Sequence, residues 1–439
     1  MAYATRDPKI VILGAGFAGA QCARELARKL PSHQDGCITL VDRHNYLLFT
    51  PMLTEVAGGQ VDTRHIVAAI RRMSSRITFV EGRVDDVDLQ QRQITLTVGE
   101  ATAGIPEERR ILEADQLVIA LGSVTNFHAI DGLQAHALTM KSLGDAASIR
   151  NRALALLERA SAEPDREQQR ALLTFVVGGG GFSGVETMAA INDLVRESAK
   201  YYPQIHAADI RMILAHGQAR LLPELSGPLA EYARRKLQQR GVEVLLNTRI
   251  TAAGAGYVEL EGGQHITTSM LIWTAGVAPN PFIEKLGCRR GKHGGILVDA
   301  CCAVPGFSGV WAIGDCAEIP QRGGTTYAPT AQNATREGKR VARNILAALR
   351  SRPLRPFIYR PIGELAIVGR RTGVARLFGL RFSGFVAWWM WRTVYLFKLP
   401  TFGKRIRVAA DWTLDLLFDR EIEELPIARN SATPAQSAD

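Results

Sequence analysis

The sequence predicts an α/β protein with two doubly wound, Rossmann-like domains, the second inserted into the first, and a C-terminal segment of different character. The main observation is a pattern of strand, glycine turn, helix and strand that occurs twice, from Ile10 and again from Thr174. A strand and turn near Asp315 resume the first domain after the second copy. The length of 439 residues predicts roughly two to three domains, because a chain of this length does not fold around a single hydrophobic core.

The first copy begins with an apolar strand at Ile10–Leu13 and turns at residues 14–19, where glycine takes the first, third and sixth positions. A helical pattern then runs to about Leu30, and a second strand follows at residues 38–41. Because glycine has no side chain, the backbone turns sharply and approaches a pyrophosphate, which rests on the helix N-terminus. Asp42 ends the second strand, where an acid accepts hydrogen bonds from an adenosine ribose. This copy predicts a dinucleotide site.

The second copy has a strand at residues 174–177, a glycine turn at residues 179–184 and a second strand at residues 210–214. Two copies in one chain imply two dinucleotides. The second strand ends in His216 instead of an acid, with Arg220 nearby. His216 removes the repulsion that an acid exerts on the 2′-phosphate of NADPH, but it also suits a hydrogen bond to the ribose or a position facing solvent. The choice between NADH and NADPH stays open.

Three further turns at strand ends complete the pattern. Asp315 follows the apolar strand at residues 310–313, where a carboxylate accepts a hydrogen bond from a ribityl hydroxyl of a flavin. Such Gly-Asp turns are common, so this assignment depends on the two glycine turns that precede it. Turns at residues 120–123 and 274–276 also bring backbone close to a bound nucleotide.

The C-terminal segment is basic and aromatic. Twelve Lys or Arg and a single acid, Glu364, lie between Ser351 and Ala410, so this segment carries a net charge of about +11, and the rest of the chain nets about −1. This composition predicts a helix in the lipid interface, since no stretch reaches the ~20 apolar residues that span a bilayer. Charge alone also suits nucleic acid, but no nucleic-acid module is present, so we expect no such partner. The aromatic residues are Phe382, Phe385, Trp388, Trp389, Trp391, Tyr395 and Phe397.

The six cysteines contain no C-x-x-C pair, and their spacing fits neither a zinc site nor a disulfide framework. We therefore expect no metal and a reducing compartment, with the role of the adjacent Cys301 and Cys302 open. The strand at Ile10 leads straight into a glycine turn, so we expect no cleavable leader.

Several segments together resemble the type II NADH:quinone oxidoreductases, which belong to the two-dinucleotide-domain flavoproteins. The resemblance runs from about residue 8 to 424. The segment at residues 49–57 is similar to the family segment beside the flavin ring, and residues 331–334 are similar to its Ala-Gln-x-Ala quinone motif. The other segments that carry the resemblance are residues 14–17, 41–42, 51–53, 120–123, 179–186 and 312–317.

The resemblance implies an FAD-binding domain in two parts, residues 1–170 and 289–352. An NAD(P)H-binding domain lies between them at residues 171–288. A membrane-docking segment follows at residues 353–428. From its small, polar composition we expect the tail at residues 429–439 to be disordered.

The resemblance also implies the site residues. Gln332 opens a helix running to about Leu349 and hydrogen-bonds a quinone carbonyl, although a plain polar helix start is the alternative. Glu186 positions the nicotinamide or moves protons, although an acid at a helix N-terminus is favourable by itself. These two are the catalytic candidates. The FAD candidates are Gly14, Gly16, Phe17, Ala18, Gly19, Asp42, Arg43, Pro51, Ala120, Gly122, Gly314, Asp315, Ala331 and Gln332. The NAD(P)H candidates are Gly179, Gly181, Phe182, Gly184, Glu186, His216, Ala275 and Gly276.

The implied activity is hydride transfer from the nicotinamide of NADH or NADPH to the flavin of FAD, followed by electron transfer to a membrane quinone without proton pumping. The implied location is peripheral, on the cytoplasmic face of the inner or cell membrane, and a homodimer stays open. Two alternatives remain. A sulfide:quinone oxidoreductase shares the architecture but needs a redox-active cysteine pair. A flavoprotein with a signalling or assembly role binds NAD(P)H but turns over slowly.

Overall fold

The computed structural model describes residues 7–31, 34, 36–99, 106–321 and 323–424, so the predicted tail at residues 429–439 lies outside the described chain. The chain divides into two compact units. Among the described residues, the first unit comprises 7–49, 67–126 and 276–362. The second unit comprises residues 50–66, 127–275 and 363–424.

The secondary structure has the alternation of strands and helices expected of an α/β fold. The helices are α1 (Phe17–Lys29), α2 (Leu53–Ala57), α3 (Leu133–His136), α4 (Leu143–Ala162), α5 (Arg166–Leu172), α6 (Phe182–Ser198), α7 (Gly227–Gln239), α8 (Ala331–Ala348), α9 (Phe385–Lys398) and α10 (Phe402–Leu417). The strands are β1 (Ile10–Leu13), β2 (Ile38–Asp42), β3 (Tyr46–Leu48), β4 (Val67–Ala69), β5 (Ile77–Asp88), β6 (Gln93–Val98), β7 (Glu108–Glu113), β8 (Gln116–Ile119), β9 (Ser123–Thr125), β10 (Ala137–Thr139), β11 (Thr174–Gly178), β12 (Arg211–His216), β13 (Val242–Leu246), β14 (Ile250–Gly254), β15 (Tyr257–Leu260), β16 (His265–Thr267), β17 (Met270–Trp273), β18 (Val277–Pro279), β19 (Ile296–Leu297), β20 (Val310–Ala312), β21 (Ala317–Glu318), β22 (Gly363–Gly369), β23 (Thr372–Leu377) and β24 (Leu380–Gly384).

The first unit is built on a seven-stranded sheet in the order β20-β8-β1-β2-β5-β6-β7. Its strands from β20 to β5 are parallel, and the long β5 continues into an antiparallel meander with β6 and β7. All four residues of β1 are buried, as is usual for a parallel strand covered on both faces. The carboxyl ends of β1, β2, β8 and β20 meet at one edge, which brings together the turns that the sequence predicts for the first dinucleotide.

Helix α8 packs closely against α1 in this unit. A Cβ atom on Gly338 would lie 2.2 Å from the carbonyl oxygen of Ala18, so only glycine permits the approach. The helix begins at Ala331 and ends at Ala348, close to the predicted limits, and the Thr330 side chain caps it by accepting from the Asn333 amide.

The second unit is built on a five-stranded parallel sheet in the order β10-β17-β11-β12-β13. The carboxyl ends of β11, β12 and β17 lead into the second glycine turn, the loop after His216 and the turn at Thr274. An antiparallel sheet of β14, β15 and β16 packs beside it through a core that includes Val258 and Trp273. The two doubly wound sheets that the sequence predicts are therefore present.

The C-terminal segment is more than a docking helix, because it folds as part of the second unit. Strands β22, β23 and β24 form an antiparallel sheet, and α9 packs on β23. The expectation that the aromatic cluster lies in the lipid interface is wrong for Trp388 and Trp391, which are 5% and 1% exposed. They lie three residues apart and therefore on one helix face, which faces the protein core. Arg392, expected among the interfacial cations, is buried with them.

The observed units divide the chain at other positions than the predicted domain limits. Residues 127–170 belong to the second unit, since α4 packs against α2 and α6. Residues 276–288 belong to the first unit, where β18 pairs with β9. Within the described part of the chain, no helix is long and apolar enough to cross a membrane.

Candidate functional site

Asp42 holds the first glycine turn in place. Its carboxylate accepts hydrogen bonds from the Ala15 amide at 2.6 Å and the His44 amide at 2.9 Å. The Gly14 amide donates to the Val41 carbonyl at 2.8 Å, which joins the turn to the end of β2. The predicted ribose-binding acid therefore also fixes the backbone on which a pyrophosphate would rest.

The three glycines of this turn serve two purposes. Gly14 has a φ of +99°, and a Cβ atom there would lie 2.2 Å from the Ala120 carbonyl oxygen. A Cβ atom on Gly19 would lie 1.9 Å from the Gly14 carbonyl oxygen, so both glycines are required by the fold itself. Gly16 differs, because a Cβ atom there would meet nothing within 4 Å. Its missing side chain leaves open space at the N-terminus of α1, which suits a bound pyrophosphate.

A cavity of about 330 Å³ lies at the same edge of the first unit, lined by Gly314, Asp315, Thr330 and Glu337 among others. The Ser123 hydroxyl donates to the Asp315 carboxylate at 2.6 Å, which orients the predicted flavin-binding acid. Glu337 accepts from the Gly314 amide at 2.8 Å, and burial raises its pKa to about 7. Sequence reasoning missed Glu337, although an acid on the apolar face of α8 was a visible signal.

Gln332 lies in the first turn of α8 and its side chain is already partly engaged. Its amide oxygen accepts a hydrogen bond from the Tyr359 hydroxyl at 3.1 Å. The Arg336 guanidinium lies 4.0 Å from the centre of the Tyr359 ring, which holds that ring in place. A hydrogen bond from Gln332 to a carbonyl would therefore come from its amide nitrogen.

The second glycine turn repeats the arrangement of the first. Gly179 has a φ of +114° and lies against Thr274 and Ala275, and a Cβ atom on Gly184 would lie 1.7 Å from the Gly179 carbonyl oxygen. A Cβ atom on Gly181, at the N-terminus of α6, would meet nothing within 4 Å. The second unit therefore has the same open position at a helix N-terminus as the first.

His216 occupies the place in the second unit that Asp42 has in the first. The Gly180 amide donates to its Nδ1 atom at 3.0 Å, matching the bond from Ala15 to Asp42. Burial lowers the pKa of His216, so the ring is neutral at physiological pH and Nδ1 is an acceptor. The imidazole thus holds the turn as a carboxylate does, but without negative charge.

Glu186 lies one turn into α6 and its carboxylate is fixed by two donors. It accepts from the Ile367 amide at 3.0 Å and from the Trp391 indole nitrogen at 3.1 Å. Burial raises its pKa to about 8, and repulsion from Glu55 adds to the rise. The acid is therefore largely protonated at neutral pH, as a group that gives up a proton must be.

Glu55 is a second buried acid that sequence reasoning did not single out. It is 2% exposed, its carboxylate accepts from the Trp412 indole nitrogen at 2.9 Å, and burial raises its pKa to about 7 against the attraction of Arg392. Arg392 is stacked between Trp388 and Trp412, at 4.1 and 4.7 Å from the ring centres. The second unit thus holds two acids, each bonded to an indole, beside a buried guanidinium.

The remaining predicted residues are spread over both units. Phe17 contacts Phe49 edge to face, with ring centres 5.9 Å apart, and Arg43 is exposed. Pro51, predicted at the flavin, lies in the second unit, whereas Gly276, predicted at the nicotinamide dinucleotide, lies in the first. Both assignments stay predictions.

The six cysteines are all free thiols in this structure. Burial raises the pKa of Cys316 to about 12 and raises the pKa of Cys22 and Cys302, so their thiolates are disfavoured. Cys301 is partly exposed, but its neighbour Cys302 is buried.

Comparisons with known proteins agree with this geometry. Residues 8–338 match the family model described as pyridine nucleotide-disulphide oxidoreductase, and residues 362–421 match the NDH2 C-terminal domain. Type II NADH:quinone oxidoreductase from Mycobacterium tuberculosis is 29% identical over 430 residues, which cover 94% of this chain and 89% of that protein. Demethylphylloquinone reductase from Synechocystis is 30% identical over 413 residues, which cover 92% and 95%.

The fold has also been seen before. The structure of NDH2 from Plasmodium falciparum in complex with NADH superposes with a TM-score of 0.86 at 21% identity, covering 95% of this chain and 100% of that chain. The resemblance that the sequence motifs indicated and the expected fold class are both confirmed. This chain belongs to the pyridine nucleotide-disulphide oxidoreductase family and, within it, to the type II NADH:quinone oxidoreductases.

Proposed function

We propose that this chain is an FAD-dependent NAD(P)H:quinone oxidoreductase that does not pump protons. The observation that carries the proposal is the pair of glycine turns, each with one position open at a helix N-terminus, Gly16 in the first unit and Gly181 in the second. Two such positions suit two pyrophosphates. The relatives named above act as NADH:quinone oxidoreductase and quinone reductase, which favours a quinone as the acceptor.

The residues of the first unit fit FAD. Gly16 leaves room for the pyrophosphate, Asp42 offers acceptors toward a ribose, and Asp315 borders the 330 Å³ cavity where a ribityl chain would lie. FAD supplies the ability to take a hydride and release its electrons to a quinone. The protein supplies the dipole of α8, whose N-terminus carries Ala331 and Gln332 and stabilises negative charge.

The alternatives have less support. A sulfide:quinone oxidoreductase needs a reactive cysteine pair, and the buried thiols of Cys22, Cys302 and Cys316 have raised pKa values. The signalling or assembly role is disfavoured because the relatives named above are quinone reductases.

The first experiment is anaerobic reduction of the FAD-loaded protein by NADH or NADPH, followed by reoxidation with a short-chain quinone. Rapid bleaching of the flavin and rapid reoxidation are expected. Bleaching without reoxidation by quinone would reject the quinone assignment and favour the signalling role. No bleaching by either dinucleotide would reject the oxidoreductase assignment.

Gln332→Leu is expected to slow reoxidation by quinone about tenfold, the usual cost of one hydrogen bond to a bound carbonyl, and to spare flavin reduction. Stopped-flow measurement of the two half-reactions tests this. Gln321→Leu is the control, since Gln321 is exposed in the same unit and has the same side chain. Equal losses in both half-reactions would show that Gln332 only supports the helix.

We also propose that α9 and α10 bind the lipid surface and that the enzyme is a peripheral protein of the cytoplasmic face. Helix α10 exposes apolar residues to solvent although it buries Val408 and Trp412, and its charged Asp411 and Asp415 face the protein. Exposed cations such as Arg381, Lys398 and Arg407 flank this face and suit anionic lipids. The exposed apolar residues of the two helices are Phe385, Val386, Trp389, Phe397, Phe402, Ile406, Leu414 and Leu417.

The double variant Ile406→Asp, Leu414→Asp is expected to abolish flotation of the protein with vesicles of phosphatidylcholine and an anionic phospholipid. The two carboxylates would have to enter the apolar layer, which is costly. Gln90→Asp with Gln91→Asp adds the same charge at an exposed turn and is expected to leave flotation unchanged. Unchanged flotation of the first variant would contradict the proposal, and loss of a dimer instead would assign this face to a second copy.

A further inference from the structure

The loops that leave β12 and β13 are joined at the carboxyl edge of the second parallel sheet. The Thr248 amide donates to the His216 carbonyl at 2.9 Å, and the Asn247 amide donates to the Gln218 carbonyl at 3.0 Å. In a doubly wound domain, the end of the second strand is where the adenosine ribose of the dinucleotide binds. The residue after Thr248, which is Arg249, is therefore brought to this end of the site.

The Arg249 side chain lies across Gly217, directly after His216. A Cβ atom on Gly217 would be 2.8 Å from the Arg249 Cγ atom and 3.3 Å from its Nε atom, so any side chain at this position would displace Arg249. Arg249 is exposed, and among the residues that the structure describes its guanidinium has no hydrogen-bond or ion-pair partner. The Glu261 amide donates to the Arg249 carbonyl. Among the described residues, however, the Glu261 carboxylate forms no ion pair with the Arg249 guanidinium.

A second guanidinium, that of Arg220, lies in the loop after β12. Arg220 is exposed, and one of its nitrogen atoms donates to the Pro223 carbonyl at 2.8 Å, which fixes the side chain beside the turn. An arginine fork has five N–H donors, so this bond leaves donors for an anion.

The charge at the end of the second strand differs between the two units. His216 accepts from Gly180 as Asp42 accepts from Ala15, but its ring is neutral where the carboxylate is negative. A carboxylate at this position repels a phosphate on the ribose 2′-oxygen, whereas arginines attract one. The end of β12 therefore lies beside two guanidinium groups, and residues 216–220 contain no carboxylate.

We propose that this end of the second site binds the 2′-phosphate of NADPH through Arg249 and Arg220, so that NADPH is a substrate of the chain. This inference rests on the proposed function and names its dinucleotide. His216 is the residue that permits it, because it holds the glycine turn without opposing the phosphate.

Binding to the FAD-loaded full chain tests the site without turnover. We expect calorimetry to show that 2′,5′-ADP binds at least about tenfold more tightly than 5′-ADP, since charge-assisted bonds to the 2′-phosphate are added. Arg249→Gln should remove about tenfold of the 2′,5′-ADP affinity and leave 5′-ADP unchanged. Arg235→Gln, an exposed arginine of α7, is the control with the same charge change. Equal affinity for the two probes in the wild type would overturn the proposal, as would equal losses for both in Arg249→Gln.

The matched pair His216→Asp and His216→Asn isolates the charge at the strand end. Both side chains accept from the Gly180 amide, but only aspartate is negative. We expect His216→Asp to raise the ratio of KM for NADPH to KM for NADH about 100-fold, and His216→Asn to change that ratio by no more than a few-fold. Equal effects of the two substitutions on NADPH would contradict the charge argument.

The outcomes separate this inference from the proposed function. If NADH bleaches the flavin but NADPH does not, and 2′,5′-ADP binds no better than 5′-ADP, the inference fails while the function stands. If 2′,5′-ADP binds tightly through Arg249 and neither dinucleotide bleaches the flavin, the phosphate site stands while the function fails.

Discussion

Gly16→Val is expected to yield a folded chain that does not retain FAD. Gly16 has φ −68° and ψ −169°, an extended conformation that valine adopts without strain, and its Cβ position faces open space. The new methyl groups would therefore cost the apoprotein little. They would occupy the place where a pyrophosphate approaches the amides of α1, so binding is blocked by direct steric overlap.

Flavin absorbance after gel filtration measures the bound FAD, and circular dichroism measures the fold. Gly227→Val is the matched control, because Gly227 also opens a helix and also faces open space, yet lies at no predicted dinucleotide site. Gly181→Val should give the complementary result, with FAD retained and reduction by NAD(P)H lost. Normal FAD content in Gly16→Val would mean that this turn does not hold the pyrophosphate.

The parts of the site that repeat a local pattern were predictable from the sequence. Strand, glycine turn and helix are contiguous in the chain, so the positions of Gly14, Gly19 and Asp42 in the fold follow from the pattern alone. The two copies of the pattern have equivalent contacts, since the Ala15 amide donates to Asp42 and the Gly180 amide donates to His216. Their roles toward ligands stay predictions.

The parts that depend on distant residues were not predictable. Arg249 reaches Gly217 only because β13 pairs with β12, and a sequence pattern does not specify that register. Glu55 and Trp412 lie 357 positions apart but share a hydrogen bond. The burial of Trp391 also follows from packing, because an aromatic residue among cations suits a lipid surface and a protein core equally well.

Glu186→Gln is expected to remove an ionisation near pH 8 from the rate of one half-reaction and to lower that rate by about 100-fold. Gln keeps an oxygen that accepts from Ile367 and Trp391, so the geometry is retained while the proton is lost. A carboxyl group whose pKa is raised to about 8 carries its proton below that pH. The wild-type rate should therefore fall as the pH rises through 8, whereas the variant should show no such fall.

Glu55→Gln provides the test that distinguishes proton transfer from simple positioning. Repulsion from Glu55 raises the pKa of Glu186. In Glu55→Gln that charge is absent, so the pH at which the rate falls should be lower than in the wild type, while the maximal rate should be unchanged. If Glu186 only positions the nicotinamide, Glu186→Gln should change KM and leave the pH dependence of the rate as in the wild type. Stopped-flow rates of flavin reduction and reoxidation across the pH range decide between them. A break that persists near pH 8 in Glu186→Gln would assign the proton to another group, with Glu55 as the next candidate because its carboxyl is buried in the same unit and its pKa is raised to about 7.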